Sequence, residues 1–547
     1  MDGGPATPQV ILFGGRVRTG RHPDEVVGAI ALLGERVLAM GDEAEVLALA
    51  GPDTQVVDLD GATAVPGFTD VHVHLENAAR YDRGLDGATS REDLVGRLER
   101  RAAGVAPGAW LICQGSVEDA SYWPRRAELD ARCGDRPVLV ALGGGTTALN
   151  TVGLAELMRS PRVDTLWIER DDATGEPTGL VRTKGSNQLQ ALLPDAPIAG
   201  PDQVRWAILR GMEELAAAGI TMVHHVVKDT LPIAVYQDLR DEGALPLRVG
   251  LLLRGYESAI GIDSVIDVGL RQGFGDHWLS VQGVKISVDG YFPGGGAAFT
   301  DPYADDPGTN GTLRATAEVL FPYVLKAHRA GLRCAVHANG DRAVDLAIDA
   351  YEAALTAHPR ADHRHRIEHV GNLYLTDRQI ARMRTLGLVA VPNPPFLHRR
   401  ARHMLGRLGP DRAARPLRVG SLLRAGVHVV AASDYSGLYP VDPLLGMSAM
   451  VTRRALSGET YAPDEAISSW DALRLYTANP AWLSFQERDR GVLAPGMLAD
   501  IAILSDDPVA IAPDRLAGCS VLTTIVGGRT VHSTSGLAPE PVAVGGA

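Results

Sequence analysis

The run VPGFTDVHVHL, residues 65–75, sets the reading of the whole chain. Its core, FTDVHVH (68–74), has the valine-rich alternation of a β-strand. Side chains two apart in a strand point the same way. His72 and His74 therefore share one face, while the valines turn toward the packing. Two imidazoles on one face are well placed to chelate a cation. The spacing alone is weak evidence in a chain with 16 histidines, and a second such pair, His363 and His365, lies in the polar run ADHRHR. That second pair reads as surface or loop. The first is favoured because it ends a strand introduced by PGFTD.

Working outward, seven more strand-length apolar runs follow: TMVHHVV (221–227), LPLRVGLLLR (245–254), LSVQGVKISVDG (279–290), LRCAVHANG (332–340), HRIEHV (365–370), LVAVPN (388–393) and HVVAASDY (428–435). They alternate with helical patterns, clearest at 204–219 and 342–358. Eight strands alternating with helices predict an α/β fold, a closed (β/α)8 TIM-like barrel over residues 66–487. The interval between the first and second strands is far longer than a crossover needs. It holds its own strand-like runs (WLICQGS, RPVLVALGGG, EPTGLVR) and a helix near 91–103, so an inserted α/β subdomain is expected over 80–200. Residues 1–65 and 488–535 are rich in short β-runs punctuated by Gly and Asp. Each piece is small for an independent core. Pairing of the two into one β-sandwich is expected, against the alternative of two separate appendages.

The bulk properties narrow the function classes. The 547 residues are 45% hydrophobic and 22% charged, ordinary values for a globular protein, with disorder expected only over 536–547. The net charge of −13 and the lack of a long basic run argue against nucleic acid as a partner. No uncharged apolar stretch reaches the ~18 residues of a membrane span. The four cysteines are scattered and form no CxxC pair, which suits reduced thiols. The start shows no secretory signal pattern. Together these lead to the expectation of a cytoplasmic protein acting on a small-molecule substrate, with no nucleic-acid or membrane partner.

Active sites of such barrels collect residues from the C-terminal ends of several strands. His337 closes the fifth run, His369 the sixth and Asp434 the eighth, and Lys285 sits within the fourth. Each has a bland alternative: a hydrogen-bonded histidine, a helix-capping aspartate, a lysine reaching for solvent. Jointly with His72 and His74 they would converge on one point.

The motifs VPGFTDVHVHL, GVKISVDG, AVHANGDRAVDLAIDAYE, HRIEHV, ASD and GVLAPGMLADIAIL resemble, in order, those of the amidohydrolase superfamily. More narrowly they resemble its YtcJ-type branch (amidohydrolase family 3), which includes N-substituted formamide deformylases. The resemblance implies that His72, His74, Lys285, His337, His369 and Asp434 are metal ligands and that Asp434 is also the general base. It further implies that carbon dioxide carboxylates Lys285, which then bridges two metals. One or two divalent metals per chain are expected, zinc first, with manganese or iron also suited to nitrogen and oxygen ligands. The implied reaction is hydrolysis of a non-peptide carbon–nitrogen bond in a linear amide, N-acyl or N-formyl compound. The alternatives are a metal-dependent lyase (decarboxylase or dehydratase) on the same barrel, and a non-catalytic regulatory member of the family. A homodimer is expected by the same likeness.

Three stretches depart from the pattern. GGGTTALNT has Gly145 where relatives carry a histidine. DGYFPGGGAAFTDPY replaces the usual segment after Lys285, so a flexible loop over the mouth is expected, with Phe292 near substrate. SDYSGLYP follows the last strand and offers Tyr435 and Tyr439 as pocket residues or as surface aromatics. The basic cluster HRRARH (398–403) reads as a solvated helix face or as a contact for an acidic substrate group.

Overall fold

A computed structural model describes residues 6–76, 85, 88, 90–106, 108–114, 123–143, 146–159, 167–182, 200–292, 295–436, 441–455 and 458–534. All eight expected barrel strands form: β1 (Phe68–Val73), β2 (Ile220–Val227), β3 (Arg248–Arg254), β4 (Leu279–Ser287), β5 (Cys334–His337), β6 (Arg366–Glu368), β7 (Val389–Val391) and β8 (His428–Val429). They make one parallel sheet in sequential order. The ring closes past β8, where Val73 bridges Tyr435 in parallel and the His74 amide donates to the Tyr435 carbonyl at 2.6 Å. Asp70 strengthens that seam by accepting from the backbone amide and the hydroxyl of Ser433. Register matters for the site: Lys285 pairs Ala335, and Ser287 pairs His337, which pairs Glu368, so the last three end their strands at one level.

The helices that coat the barrel are built by apolar spacing. Helix α1 (Pro201–Ala217) starts with Pro at a first-turn position, where no amide hydrogen is needed. It buries Val204, Ile208, Met212 and Leu215, recurring every three or four residues. Each such side chain contributes about 1.5–3 kcal/mol on burial. Helix α2 (Asp341–Ala357) buries Val344, Ala347, Ile348, Tyr351 and Ala354 by the same rule. The Tyr351 hydroxyl lies 2.9 Å from the carbonyls of both Cys334 and Arg366, tying the entries of β5 and β6 together. Among the described residues no helix is long and apolar enough to cross a membrane.

The terminal strands meet in one six-stranded sheet, in which Ile501–Leu504 runs antiparallel to Thr63–Pro66. A four-stranded N-terminal sheet packs on it through a shared core that includes Leu12, Ile30, Ile501 and Ile525. This β-unit is joined to the barrel base by Arg248, whose guanidinium contacts both Asp500 carboxylate oxygens within 3.2 Å, all buried. Between β1 and β2 a five-stranded sheet forms, with Arg91–Ala102 as one of its helices. It has a core of its own around Leu94, Leu98, Leu129 and Val140.

Candidate metal centre

His72 is 1% exposed at the end of β1, and its tautomer is fixed from behind. The Nδ1–H donates to Glu368 Oε2 at 2.5 Å, which leaves the Nε2 lone pair facing the mouth. Glu368 is itself held by Arg366, which also donates to the Val71 carbonyl and to His224 Nδ1 (3.1 Å). His224 then has its proton on Nε2 and donates to Ser484 Oγ at 3.0 Å. A buried chain of polar groups thus runs up the barrel axis from Ser484 to His72. Burial tends to raise the Glu368 pKa, but the charge and hydrogen bonds of Arg366, followed by His72, outweigh it and hold the carboxylate ionised. Such carboxylate support orients a ligating imidazole and raises its basicity.

His72 Nε2, His74 Nε2 and Asp434 Oδ1 form the tight group, with donor atoms all within 4.8 Å of one another. Asp434 Oδ1 is 3.4 Å from His74 and 3.7 Å from His72. Burial pushes the Asp434 carboxyl up, yet the His74 hydrogen bond and the fields of His369, His72 and His74 together hold it well below the ordinary carboxylate range. Lys285 Nζ lies 3.3 Å from His72 Nε2. Burial lowers the lysine to about 8, against the opposing pull of Glu368 and Asp434. His369 is lowered to about 4 by burial and by neighbouring His337.

His337 and His369 flank this group. Their ring centroids are 4.5 Å apart, and His369 is 4.9 Å from His72. His369 donates through Nδ1 to Asn393 Oδ1 at 2.7 Å, again leaving Nε2 open. His337 differs, because its Nε2 accepts from the Asn339 amide at 3.0 Å and lies 3.4 Å from Asp289. His369 (φ 67°) and Asp434 (φ 57°) both occupy the left-handed region, just past the ends of β6 and β8. Such backbone conformations are uncommon outside glycine and cluster at functional sites. All six residues singled out in the sequence are therefore brought to one end of the barrel, three of them in the tight group.

The remaining candidates are placed differently. Phe292 packs with Phe299 and Tyr303 at centroid separations of 6.2 and 6.0 Å. Pro293 and Gly294, within the stretch expected to form a flexible loop, lie outside the described residues. Buried Asp289 accepts from the amides of Ala298, Asn339 and Gly340. A Cβ on Gly340 would sit 2.0 Å from the Ala298 carbonyl, so only glycine lets α2 begin so close to this segment. Tyr435 is buried and its hydroxyl donates to Glu214 of α1 at 2.6 Å. Gly145 and Tyr439 lie outside the described residues, as do the side chains of Arg399, Arg400, Arg402 and His403. His363 and His365 lie in the loop before β6, as one of the two expected readings had it, but they are 5% and 0% exposed and not at the surface.

Sequence reasoning missed Arg366, Glu368, His224 and Asn393. Glu368 stands inside HRIEHV, and an arginine and a glutamate two apart, hence on one face of a buried barrel strand, were the available signal. Asn393 ends LVAVPN, the one run after the first three read without a polar site residue.

The donor set suits a divalent cation of borderline hardness: imidazole nitrogens with backing acceptors, a depressed carboxylate and a buried amine. The barrel and this set together define a metal-dependent hydrolase. The chain belongs to the amidohydrolase family (Amidohydro_3), whose profile matches residues 55–532. It is 29% identical over 504 residues to the putative amidohydrolase YtcJ of Bacillus subtilis, covering 88% of this chain and 92% of that protein. It is 28% identical over 553 residues to the N-substituted formamide deformylase of Arthrobacter pascens, covering 96% and 99%. Among solved structures, an uncharacterized metal-dependent hydrolase from Pyrococcus horikoshii superposes with a TM-score of 0.73 at 27% identity, over 92% of this chain and 99% of that one.

Proposed function

We propose that the protein hydrolyses a non-peptide carbon–nitrogen bond in a small linear amide, an N-formyl or N-acyl compound, with Asp434 as the general base. The observation that carries this reading is the approach of His72, His74 and Asp434 donor atoms to within 4.8 Å, with the Lys285 amine beside them. The likeness to a formamide deformylase over nearly the whole chain supports the substrate class.

His72, His74 and Asp434 would hold a divalent cation, zinc in the first instance, which would supply Lewis acidity toward the carbonyl and the attacking water at neutral pH. Asp434 accepts the proton of that water and delivers it to the departing nitrogen. With its pKa held low, Asp434 is a weak base toward ordinary water, so its role depends on that acidified water. Glu368 keeps His72 in the tautomer that presents Nε2. Lys285, eased toward its neutral amine by burial, attacks carbon dioxide through nitrogen and loses a proton, giving a carbamate. With His337 and His369, that anion offers donors for a second cation.

Stripping metal with a chelator should abolish hydrolysis across a panel of formamides, N-acyl amino acids and aryl amides, and zinc or manganese should restore it. Undiminished turnover by metal-free protein refutes the reading. Labelled carbon dioxide should appear on Lys285 in a carbamate-sensitive carbon NMR spectrum; its absence from active protein removes the carbamate.

A further inference from the structure

We propose that the barrel carries a second ligand site at its base, opposite the imidazoles, which binds the carboxylate of a small amino-acid-like molecule. A cavity of about 600 Å³ opens there. Its wall includes Ser280 at the start of β4, Arg333 just before β5 and His363 just before β6, so it lies at the N-terminal ends of the strands.

Two guanidiniums in this wall make no direct ion pair among the described residues, although Glu368 and Asp362 act on them at longer range. Arg333 is 1% exposed and donates to neutral acceptors: the Gln282 carbonyl (2.7 and 3.1 Å), Gln282 Oε1 (2.9 Å) and the Leu483 carbonyl. Arg360 donates to the His328 and Leu332 carbonyls and approaches His365, while its buried Nε has no partner. Neither has a carboxylate within ion-pair distance among the described residues. A buried unpaired cation is costly and is ordinarily compensated. Burial, joined by the field of Arg366, presses Arg333 well below its usual range, in keeping with that cost.

The carboxylates of the same wall are engaged elsewhere. Asp362 pairs with Arg364 (2.7 Å), Asp489 with Arg36 (3.3 Å) and Asp276 with Arg240 (3.9 Å). Positive charge therefore sits deep, and paired negative charge sits toward solvent. A carboxylate matches the planar fork of a guanidinium. Two buried acceptors in the wall, Gln272 Oε1 and Gln486 Oε1, also lack partners. They call for N–H donors on the same ligand, which the ammonium group of an amino acid supplies beside its carboxylate.

The test uses the metal-loaded full chain with L-serine, L-glutamine, L-serinamide and inorganic phosphate, followed by thermal shift and calorimetry. The two amino acids should bind saturably, and serinamide, which lacks the carboxylate, should not. Arg360→Gln should weaken binding about tenfold or more, the value of one charged hydrogen bond. Gln486→Leu, at a partly exposed position, should weaken it several-fold without unfolding the protein. Asp434→Asn, at the mouth, should leave this binding in place. No saturable binding by either amino acid overturns the proposal, as does binding of phosphate alone. Binding that survives Arg360→Gln and Gln486→Leu but disappears in Asp434→Asn also overturns it, by assigning the ligand to the mouth.

Discussion

The chain contains the same two-histidine spacing at opposite ends of one barrel, and the two copies have opposite fates. At the mouth, His72 gives one nitrogen to Glu368 and turns the other toward Asp434 and the Lys285 amine. At the base both ring nitrogens of each histidine are occupied. His363 accepts from the His365 amide and donates to the Leu386 carbonyl. His365 accepts from the Cys334 amide at 3.0 Å, so it donates to His328 Nδ1 at 2.9 Å, and His328 donates onward to the His358 carbonyl. Every proton in that chain has a place with all the rings neutral. An imidazole becomes a ligand when its surroundings satisfy one nitrogen, and a structural element when they satisfy both.

The largest expected effect tests the open end. Asp434→Asn keeps the shape but removes the base, and should lower kcat by about 10²–10⁴ in protein that circular dichroism shows to be folded. Retention of full activity in steady-state assays would remove Asp434 from the chemistry. Next, Glu368→Gln should weaken metal affinity or activity by about 10–100-fold through loss of the tautomer lock. Metal titration beside a circular-dichroism melt separates that effect from unfolding.

The closed end should respond in stability alone. His365→Ala leaves the Cys334 amide and His328 Nδ1 without partners, costing about 1–3 kcal/mol for each buried group. Urea denaturation should show the loss while bound metal per chain stays constant, and a fall in metal content would blur the distinction between the two ends.

The smallest effect is in pH dependence. Burial, with the fields of His363 and Arg360, puts the folded pKa of His365 well below its ordinary value. The unfolded chain then binds more protons below about pH 6.5, so stability is complete above that value and declines as pH falls toward the folded pKa. The slope approaches about 1.4 kcal/mol per pH unit for this group. Chelated wild-type protein should show a steeper acid decline than chelated His365→Ala in urea titrations between pH 7 and 5. Equal slopes would mean that His365 is not held neutral.

Much of the barrel was legible because parallel strands buried on both faces read as dense Val, Ile and Leu runs, and those runs repeat with helical intervals between them. The six mouth residues were legible because five of them close such runs and Lys285 lies within one. Glu368 and Arg366 were quoted but passed over, since side chains of β6 acquire their roles only when β1 and β2 close around them. The burial of His363 and His365 went unread for the converse reason. Their run is polar, and nothing local reports that Cys334, Leu386 and His328 cover it.

By itself, the order of residues determined the strand count, the long insertion and the set of groups able to ligate a cation, because these follow from periodicity and side-chain chemistry near at hand. Tertiary structure alone decided which nitrogens remain open, which charges are paired and which end of the barrel holds each cluster. Many of those outcomes depend on partners distant in the chain, 23 residues away for His363–Leu386 and 296 for His72–Glu368, and no local pattern encodes a contact that only chain closure creates.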